Sequence, residues 1–427
     1  MNGAGKLALY TLGCKLNQAE SDALKQEFEL RGWEIVPWRS PADLTIINTC
    51  TVTNQADAKS RNIIRQAVAS SPKGKIAVIG CFAQLNSKAV EAIPGVHLIL
   101  GTHEKNRLFD YLPHLKEKPL IVLDQAVSQY EESSFTSSSS RTRAFLKIQD
   151  GCDYHCRYCI IPQARGPALS RSFESSLTEA AKLVQQGYKE LILTGINLGT
   201  YSYQGKKLLD ILRELTQIEG LERLRISSVE INTIDDEMLN FLSENHKIMP
   251  HLHLPLQSGC DATLQRMGRR YSTALFREKI EALRRKIPDI GLGTDLIVGL
   301  PGETDEEFAA TESFIREMAF AYLHIFRYSI RKNTAAATMP DQIDERVKKD
   351  RAARMKMLSQ RLRTAFAEKM IGKSMDILWE EAKNGHLSGW TPNYIRIQAP
   401  GAEDLINTIQ KTSIKSARNG QLWGELI

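Results

Sequence analysis

The stretch Asp150-Gly151-Cys152-Asp153-Tyr154-His155-Cys156-Arg157-Tyr158-Cys159 decides how this 427-residue chain is read. Three thiols at CxxxCxxC spacing follow directly on the apolar run 145–148, the first of six candidate strands in the middle of the chain. Soft thiolates this close in one loop can wrap a single cubane iron–sulfur cluster, ligating three of its irons and leaving the fourth open. A structural zinc site wants a fourth ligand at paired spacing, and none follows nearby. His155 could be offered as that ligand, but it stands beside Cys156, where both ligating one ion would be strained. Further strands are expected at 190–194, 224–227, 251–256, 294–298 and 322–328, alternating with helical stretches. Six βα units joined in this way form a right-handed parallel barrel, closed or partial.

Toward the N-terminus three more cysteines share a second design. Leu9-Tyr10-Thr11-Leu12-Gly13-Cys14, Ile46-Ile47-Asn48-Thr49-Cys50 and Val78-Ile79-Gly80-Cys81 each run from an apolar strand into a thiol, about one βα unit apart. Helices are expected between them at 19–30 and 56–69. In an open parallel sheet the carboxyl ends of the strands line one edge, where ligands bind. One buried, unpaired cysteine is ordinary. Three at equivalent positions in consecutive units point to a second cluster, again with three thiolates and one open iron. Cys260, in Leu256-Gln257-Ser258-Gly259-Cys260-Asp261, fits neither set and is read as structural.

Composition bounds the rest. Apolar residues at 42% and charged residues at 25% are ordinary for globular domains, which excludes collagen-like, coiled-coil and wholly disordered readings. Seven cysteines are an odd number and too sparse for a disulfide scaffold. No apolar run approaches a membrane span, and the first residues lack a signal-peptide core, so a soluble, cytoplasmic protein without a membrane partner is expected. The net charge is +6, and residues 345–427 alone hold 15 Lys/Arg against 9 Asp/Glu. A basic module on a neutral body suggests a nucleic-acid-facing end, although basic helices are often only solvated faces.

The Ser-rich segment 133–140, with flanks from 125 to 143, is too polar to order itself and would span about 23 Å, enough to let two domains reorient. A long helix is expected at 345–370. Short alternating stretches follow it, separated by Asn384-Gly385 and Asn419-Gly420, the pattern of a small β-barrel. The expected division is 1–124, a linker at 125–143, 144–371 and 372–427. The fold class is α/β: an N-terminal open parallel domain, a central partial (βα)6 barrel and a C-terminal small antiparallel β-barrel.

CxxxCxxC with an aromatic before the last cysteine, at the head of a (βα)6 barrel, resembles the radical S-adenosylmethionine (SAM) enzymes. The resemblance implies that the open iron chelates SAM and that Tyr158 lies near its adenine. It also implies that strand-end residues contact the rest of SAM, with Gly195, Gln257 and Asp295 as candidates. Gly195 opens Gly195-Ile196-Asn197-Leu198-Gly199, which alone is equally a plain βα turn. His251 and His253 share a strand face and are read as barrel interior, since no carboxylate partner is evident in register.

The whole chain resembles the methylthiotransferases, which combine a three-cysteine domain, a radical SAM barrel and a small barrel called TRAM. The matching residues include Thr11-Leu12-Gly13-Cys14-Lys15-Leu16-Asn17-Gln18, Asn48-Thr49-Cys50, Ile161-Pro162-Gln163-Ala164-Arg165-Gly166 and Val298-Gly299-Leu300-Pro301-Gly302. The family implies two [4Fe–4S] clusters and two uses of SAM. One SAM methylates a sulfur held at Cys14, Cys50 and Cys81; the other, bound at Cys152, Cys156 and Cys159, yields the radical that activates an unreactive carbon. No catalytic side chain beyond the cluster ligands is expected.

Thr11-Leu12-Gly13-Cys14-Lys15-Leu16-Asn17-Gln18, Ile161-Pro162-Gln163-Ala164-Arg165-Gly166 and Leu193-Thr194-Gly195-Ile196-Asn197-Leu198-Gly199 look most like the branch acting on threonylcarbamoyladenosine in tRNA. Alternatives are the isopentenyladenosine branch, the ribosomal-protein aspartate branch and an iron–sulfur RNA-binding protein without turnover. In the favoured branch the partner is the tRNA anticodon loop. Lys15, Asn17 and Arg165 are then candidates for meeting the polar threonylcarbamoyl group. Trp379, Trp390, Tyr394 and Trp423 are stacking candidates that serve equally well as core. An electron donor such as flavodoxin or ferredoxin is implied, and the sulfur donor is left open.

Overall fold

The computed structural model of the chain describes residues 5–123, 129–130 and 142–427. Most of the Ser-rich stretch expected as a linker, including all of 133–140, lies outside the described residues.

The first unit is a six-stranded parallel sheet in the order Glu34–Val36, Lys6–Thr11, Leu44–Thr49, Lys75–Gly80, Leu98–Leu100, Leu120–Val122. Leu44–Thr49 is buried at every position, as a strand covered on both faces must be. Alternate residues of the same strands feed two apolar clusters. One gathers Ile47 and Val78 with Ile64 of helix Asn54–Ser70; the other gathers Ile46 and Ile79 with Phe28 of helix Lys15–Leu30. The three cysteine-bearing strands are those expected from sequence. The other three have three residues each, too few for a periodicity to register.

Six parallel strands follow in two groups of three. Arg143–Lys147, Glu190–Thr194 and Arg223–Ile226 form one group; His251–His253, Gly291–Val298 and Tyr322–Arg327 form the other. Single bridges, Leu224 with Ile248 and Ser228 with His253, join them into a partial barrel. Among the described residues no ladder closes it between Arg143–Lys147 and Tyr322–Arg327. Strand parity then separates two surfaces. Leu146, Leu193, Leu224, Leu252 and Leu292 belong to the apolar core shared with the surrounding helices. Their neighbours Arg143, Glu190, Arg225, His251, Asp295 and Tyr322 therefore face the lumen. A lumen lined by charge suits a polar ligand better than a packed core.

Helix Glu345–Glu368 packs along Tyr322–Arg327 and leads into a closed five-stranded barrel. Its strands are Ser374–Lys383, His386–Trp390, Arg396–Pro400, Ile409–Arg418 and Gln421–Leu426. Four seams are antiparallel, as expected, and the fifth, between Arg396–Pro400 and Gln421–Leu426, is parallel. Asn384-Gly385 and Asn419-Gly420 take positive φ at both residues, the geometry of tight hairpin turns. Strand His386–Trp390 shows no alternating apolar pattern in the sequence, because one of its two buried positions is Gly389. Trp379 is wholly buried in the core of this barrel and offers no surface for stacking. No helix among the described residues is long and apolar enough to cross a membrane.

Candidate active site: two cysteine triads and the charged seam between them

The sheet register brings the ends of the cysteine-bearing strands level, with Thr11 opposite Asn48 and Thr49 opposite Gly80. Cys14, Cys50 and Cys81 follow those ends. The loops approach so closely that a Cβ on Gly13 would stand 2.8 Å from Cys50 Cβ and 3.1 Å from its Sγ. Asn17 staples the first two loops together: its Nδ2 donates to Leu12 O at 2.7 Å and to Thr49 O at 3.1 Å. Burial pushes the Cys50 thiol up to about 12, and its neighbours Cys81 and Cys14 add to the rise. Burial also raises Cys81, against the pull of Arg165 and Lys105. Crowded thiols of this kind ionise when a cation ligates them, which is the chemistry that an iron–sulfur cluster supplies.

The second triad occupies one loop. Cys152 N donates to Gly166 O at 3.2 Å, Tyr154 N to Cys152 Sγ at 3.3 Å, and Cys159 N to Cys156 O at 2.9 Å. Burial raises Cys152 and pushes Cys159 up to about 12. Arg269, which no motif singled out, reaches Cys156 Sγ at 3.1 Å and Tyr158 Oη at 3.5 Å. The same guanidinium donates to Glu230 Oε2 at 2.5 Å and Pro255 O at 3.2 Å, so the barrel holds a fixed positive charge against the thiols. Tyr158 is raised well above the usual phenol range by burial, against the pull of Arg269.

The residues expected near SAM are distributed around this loop. Gln149 ties it to the Gly195 turn: Gln149 Oε1 accepts from Ile196 N at 2.8 Å and Asn197 N at 2.9 Å, and its Nε2 donates to Gly151 O at 2.8 Å. A Cβ on Gly195 would stand 2.9 Å from Gln149 Oε1. Asn197, missed in the sequence, is buried with both amide atoms unpartnered among the described residues, as a group awaiting a polar ligand would be. Gln257 sits at φ 68° and donates its N–H to Asp295 O at 2.8 Å. Burial raises the Asp295 carboxyl, but His253 Nε2 at 3.0 Å and His324 Nδ1 at 3.2 Å outweigh it and hold it well below the usual carboxylate range. His253 thus has the carboxylate partner that the sequence does not reveal, two residues beyond Gly293, which is directly opposite His253 in the ladder. Both histidines meet the same Asp295 oxygen at hydrogen-bond distance.

Between the triads runs a buried network. Arg165 Nη1 donates to both Asp150 oxygens at 2.9 and 3.0 Å and to Glu20 Oε1 at 3.1 Å; its Nη2 donates to Asn17 Oδ1 at 2.6 Å. Lys147 Nζ bridges Glu20 Oε1 at 2.9 Å and Asp150 Oδ2 at 2.6 Å, and Lys105 pairs with the other Glu20 oxygen. Burial alone would raise both carboxyls, but Arg165 with the two lysines outweighs it and holds Glu20 and Asp150 well below their usual range. Of the residues expected to meet substrate, Arg165 gives both Nη atoms and Asn17 its Oδ1 to this seam, while Arg165 Nε is buried without a hydrogen-bond partner among the described residues. A second clamp joins Arg331 to Asp57 Oδ2 at 2.7 Å and Thr51 Oγ1 at 3.1 Å. Lys15 points elsewhere, lying 5.2 Å from the Tyr394 ring centroid beside Arg143 and Arg225. Cys260 is half-buried at the start of helix Asp261–Arg266.

Two family profiles match the chain: the Radical SAM superfamily over residues 146–315 and the uncharacterized protein family UPF0004 over residues 6–101. The chain is 41% identical to the threonylcarbamoyladenosine tRNA methylthiotransferase MtaB of Bacillus subtilis (strain 168), covering 96% of this chain and 94% of that one. It is 37% identical to the protein of the same name from Aquifex aeolicus (strain VF5), covering 94% and 98%. The tRNA-2-methylthio-N(6)-dimethylallyladenosine synthase of Endomicrobium trichonymphae is 31% identical, with 98% and 99% covered. In fold the chain is similar to the radical SAM methyltransferase TsrM from Kitasatospora setae, solved with tryptophan and aza-SAM bound. That likeness has a TM-score of 0.56 at 16% identity, over 89% of this chain and 79% of that one. The chain therefore belongs to the radical SAM methylthiotransferases, transferases that use S-adenosylmethionine and a [4Fe–4S] cluster.

Proposed function

We propose that this chain transfers a methylthio group to carbon 2 of N6-threonylcarbamoyladenosine, the modified adenosine 3′ of the anticodon in tRNA. The carrying observation is that two thiol triads, built on separate sheets, are tied across one buried ion network. Only a two-centre reaction needs both. Relatives named for the threonylcarbamoyl substrate at 41% and 37% identity, against 31% and 33% for those named for dimethylallyladenosine, support this branch.

In this reading Cys152, Cys156 and Cys159 hold one [4Fe–4S] cluster, and Cys14, Cys50 and Cys81 hold a second. When bound, the clusters and SAM supply a 5′-deoxyadenosyl radical, a methyl group and a sulfur-bearing centre. The protein supplies position, charge and exclusion of water. Tyr158, Gly195, Gln257 and Asp295 are assigned to the SAM side of the lumen, with Arg269 and Asn197 added to them. Arg165 and Asn17 become positioning residues that fix one triad against the other, and Lys15 alone of the three stays on the substrate side.

The division into 1–124, a linker, 144–371 and a TRAM-like 372–427 belongs to the same proposal. So do an electron donor of the flavodoxin or ferredoxin kind and a cytoplasmic location, where tRNA is met. The test is the nucleoside profile of tRNA from a strain lacking this gene. Loss of 2-methylthio-threonylcarbamoyladenosine is expected. An unchanged level, or loss of the isopentenyl counterpart instead, overturns the assignment.

A further inference from the structure

The lumen floor carries more positive charge than its carboxylates balance. Arg143, Arg223 and Arg225 converge there on Glu190, Arg143 also takes Glu380, and Lys15 joins them over the ring of Tyr394. Glu190 takes Arg225 at 2.7 Å, while Arg143 Nη1 and Arg223 Nη1 stay 3.8 Å from it and have no hydrogen-bond partner among the described residues. His251 Nδ1 and Trp390 Nε1 are buried and unpartnered in the same way. Lys15 Nζ lies 5.2 Å from the centroid of the Tyr394 ring.

Part of this floor comes from the C-terminal barrel. Tyr394 is held at φ 70°, a region that a bulky side chain seldom adopts, in a loop closed by Ile395 N donating to Thr391 Oγ1 at 2.8 Å. The strained turn sets its ring on Trp390 at 4.5 Å and 17°, and against His251 at 4.4 Å. Arg225 lies 4.9 Å from the same ring. A groove of about 550 Å³ borders the Trp390–Tyr394 pair. Tyr322, His324, Trp390 and Tyr394 form one part of its lining, and Lys356 and Arg363 of the long helix another.

We propose that this floor is an anion subsite that takes the free carboxylate of the threonylcarbamoyl arm, with Lys15 as its principal partner and the Trp390–Tyr394 pair as its platform. The proposal rests on the tRNA reading above. A threonine joined through its amino group keeps its carboxylate, which answers the surplus of buried donors. A hydrocarbon arm would leave those donors unpaired, which is how a polar site rejects an apolar analogue. Lys15 directly follows Cys14, so the subsite lies beside the triad assigned to the second cluster.

The test uses the full chain with reconstituted clusters and anticodon stem-loop RNAs that differ only at the target base. The bases are the threonylcarbamoyl acid, its neutral carboxamide, the isopentenyl base and plain adenosine. Affinity is measured at fixed salt, and product formation from the acid is followed separately. Wild type is expected to bind the acid about ten- to a hundredfold more tightly than the carboxamide, the range for one charge-assisted contact. In Lys15→Gln that ratio should collapse toward one, whereas Lys15→Arg should keep most of it. Tyr394→Phe, which keeps the ring, should lower the ratio in part and stands in if Lys15→Gln does not fold. Equal binding of acid and carboxamide by wild type, with the acid still converted, overturns the subsite alone. A Lys15→Gln that weakens all four RNAs equally shows the anion to be a backbone phosphate and also overturns it. Conversion of the isopentenyl base with none of the acid overturns the subsite together with the functional reading.

Discussion

The two cysteine triads present similar donors but are built in opposite ways. Cys152, Cys156 and Cys159 lie within one loop, held by its own backbone hydrogen bonds and by Arg269. Cys14, Cys50 and Cys81 come from three strands of one sheet and meet only because those strands are in register. The distributed triad accordingly carries extra staples. Asn17 Nδ2 donates to Thr49 O at 3.1 Å, Thr49 Oγ1 donates to Ile79 O at 2.6 Å, and Asn48 Nδ2 donates to Asn17 O at 3.0 Å. A loop motif keeps its donors together by chain connectivity, whereas a strand-end motif must draw the same precision from the fold.

The largest expected effects separate the triads by chemistry. Cys152→Ala should abolish formation of 5′-deoxyadenosine from SAM under reducing, anaerobic conditions. Cys14→Ala should retain that cleavage and lose methylthio transfer. In each variant iron should fall from about eight to about four per chain, since each triad is assigned one four-iron cluster. Equal loss of SAM cleavage in both variants would break the comparison and argue for a single shared centre.

A smaller effect probes the seam that joins them. Arg165→Met leaves Asp150 and Glu20 buried with only the two lysines, and loss of one partner from a buried ion network costs about 3–5 kcal/mol. Urea denaturation should show that loss. The same carboxyls set an acid limb. Their folded pKa values are depressed, so their stabilisation is complete above the unfolded values near 4 and is lost as pH falls through the folded values below. In wild type Tm should therefore drop as pH is lowered from about 4, and in Arg165→Met that limb should be shallower. Limbs of equal steepness would remove Arg165 from the role assigned to it.

The same contrast explains what could be read from the sequence. The loop triad is visible as CxxxCxxC because its geometry is local, and three strand-to-cysteine repeats are visible because each strand is long enough to show its apolar run. Arg269 is 110 residues beyond Cys159 in the chain and belongs to no periodic pattern, so only the barrel brings it to Cys156. Arg165 was legible as a charged residue in a recurring motif, but its partners Glu20 and Asn17 lie in another domain, and a surface or substrate contact was the natural reading. The Asp295 partner of His253 was missed for a related reason: strand register sets diagonal neighbours that linear spacing does not reveal.

The smallest effect tests the difference in construction directly, through the glycine that precedes each triad's first cysteine. Gly13 takes φ 103° and Gly151 takes φ 65°, backbone that an L side chain seldom adopts. An added Cβ at Gly151 would stand 1.8 Å from Pro167 O, a backbone atom of the same compact segment, so Gly151→Ala must disturb the loop itself. At Gly13 the nearest obstacle is the Cys50 side chain at 2.8 Å, so the strain, about 1–3 kcal/mol, falls on the contact between two strand-end loops. Gly13→Ala should lower iron at the distributed triad and leave the loop's iron in place; Gly151→Ala should do the reverse. Iron content with paramagnetic resonance of each variant reads the outcome. If Gly13→Ala emptied both centres alike, the triads would be one cooperative unit, and the seam through Arg165 would couple their assembly as well as their position.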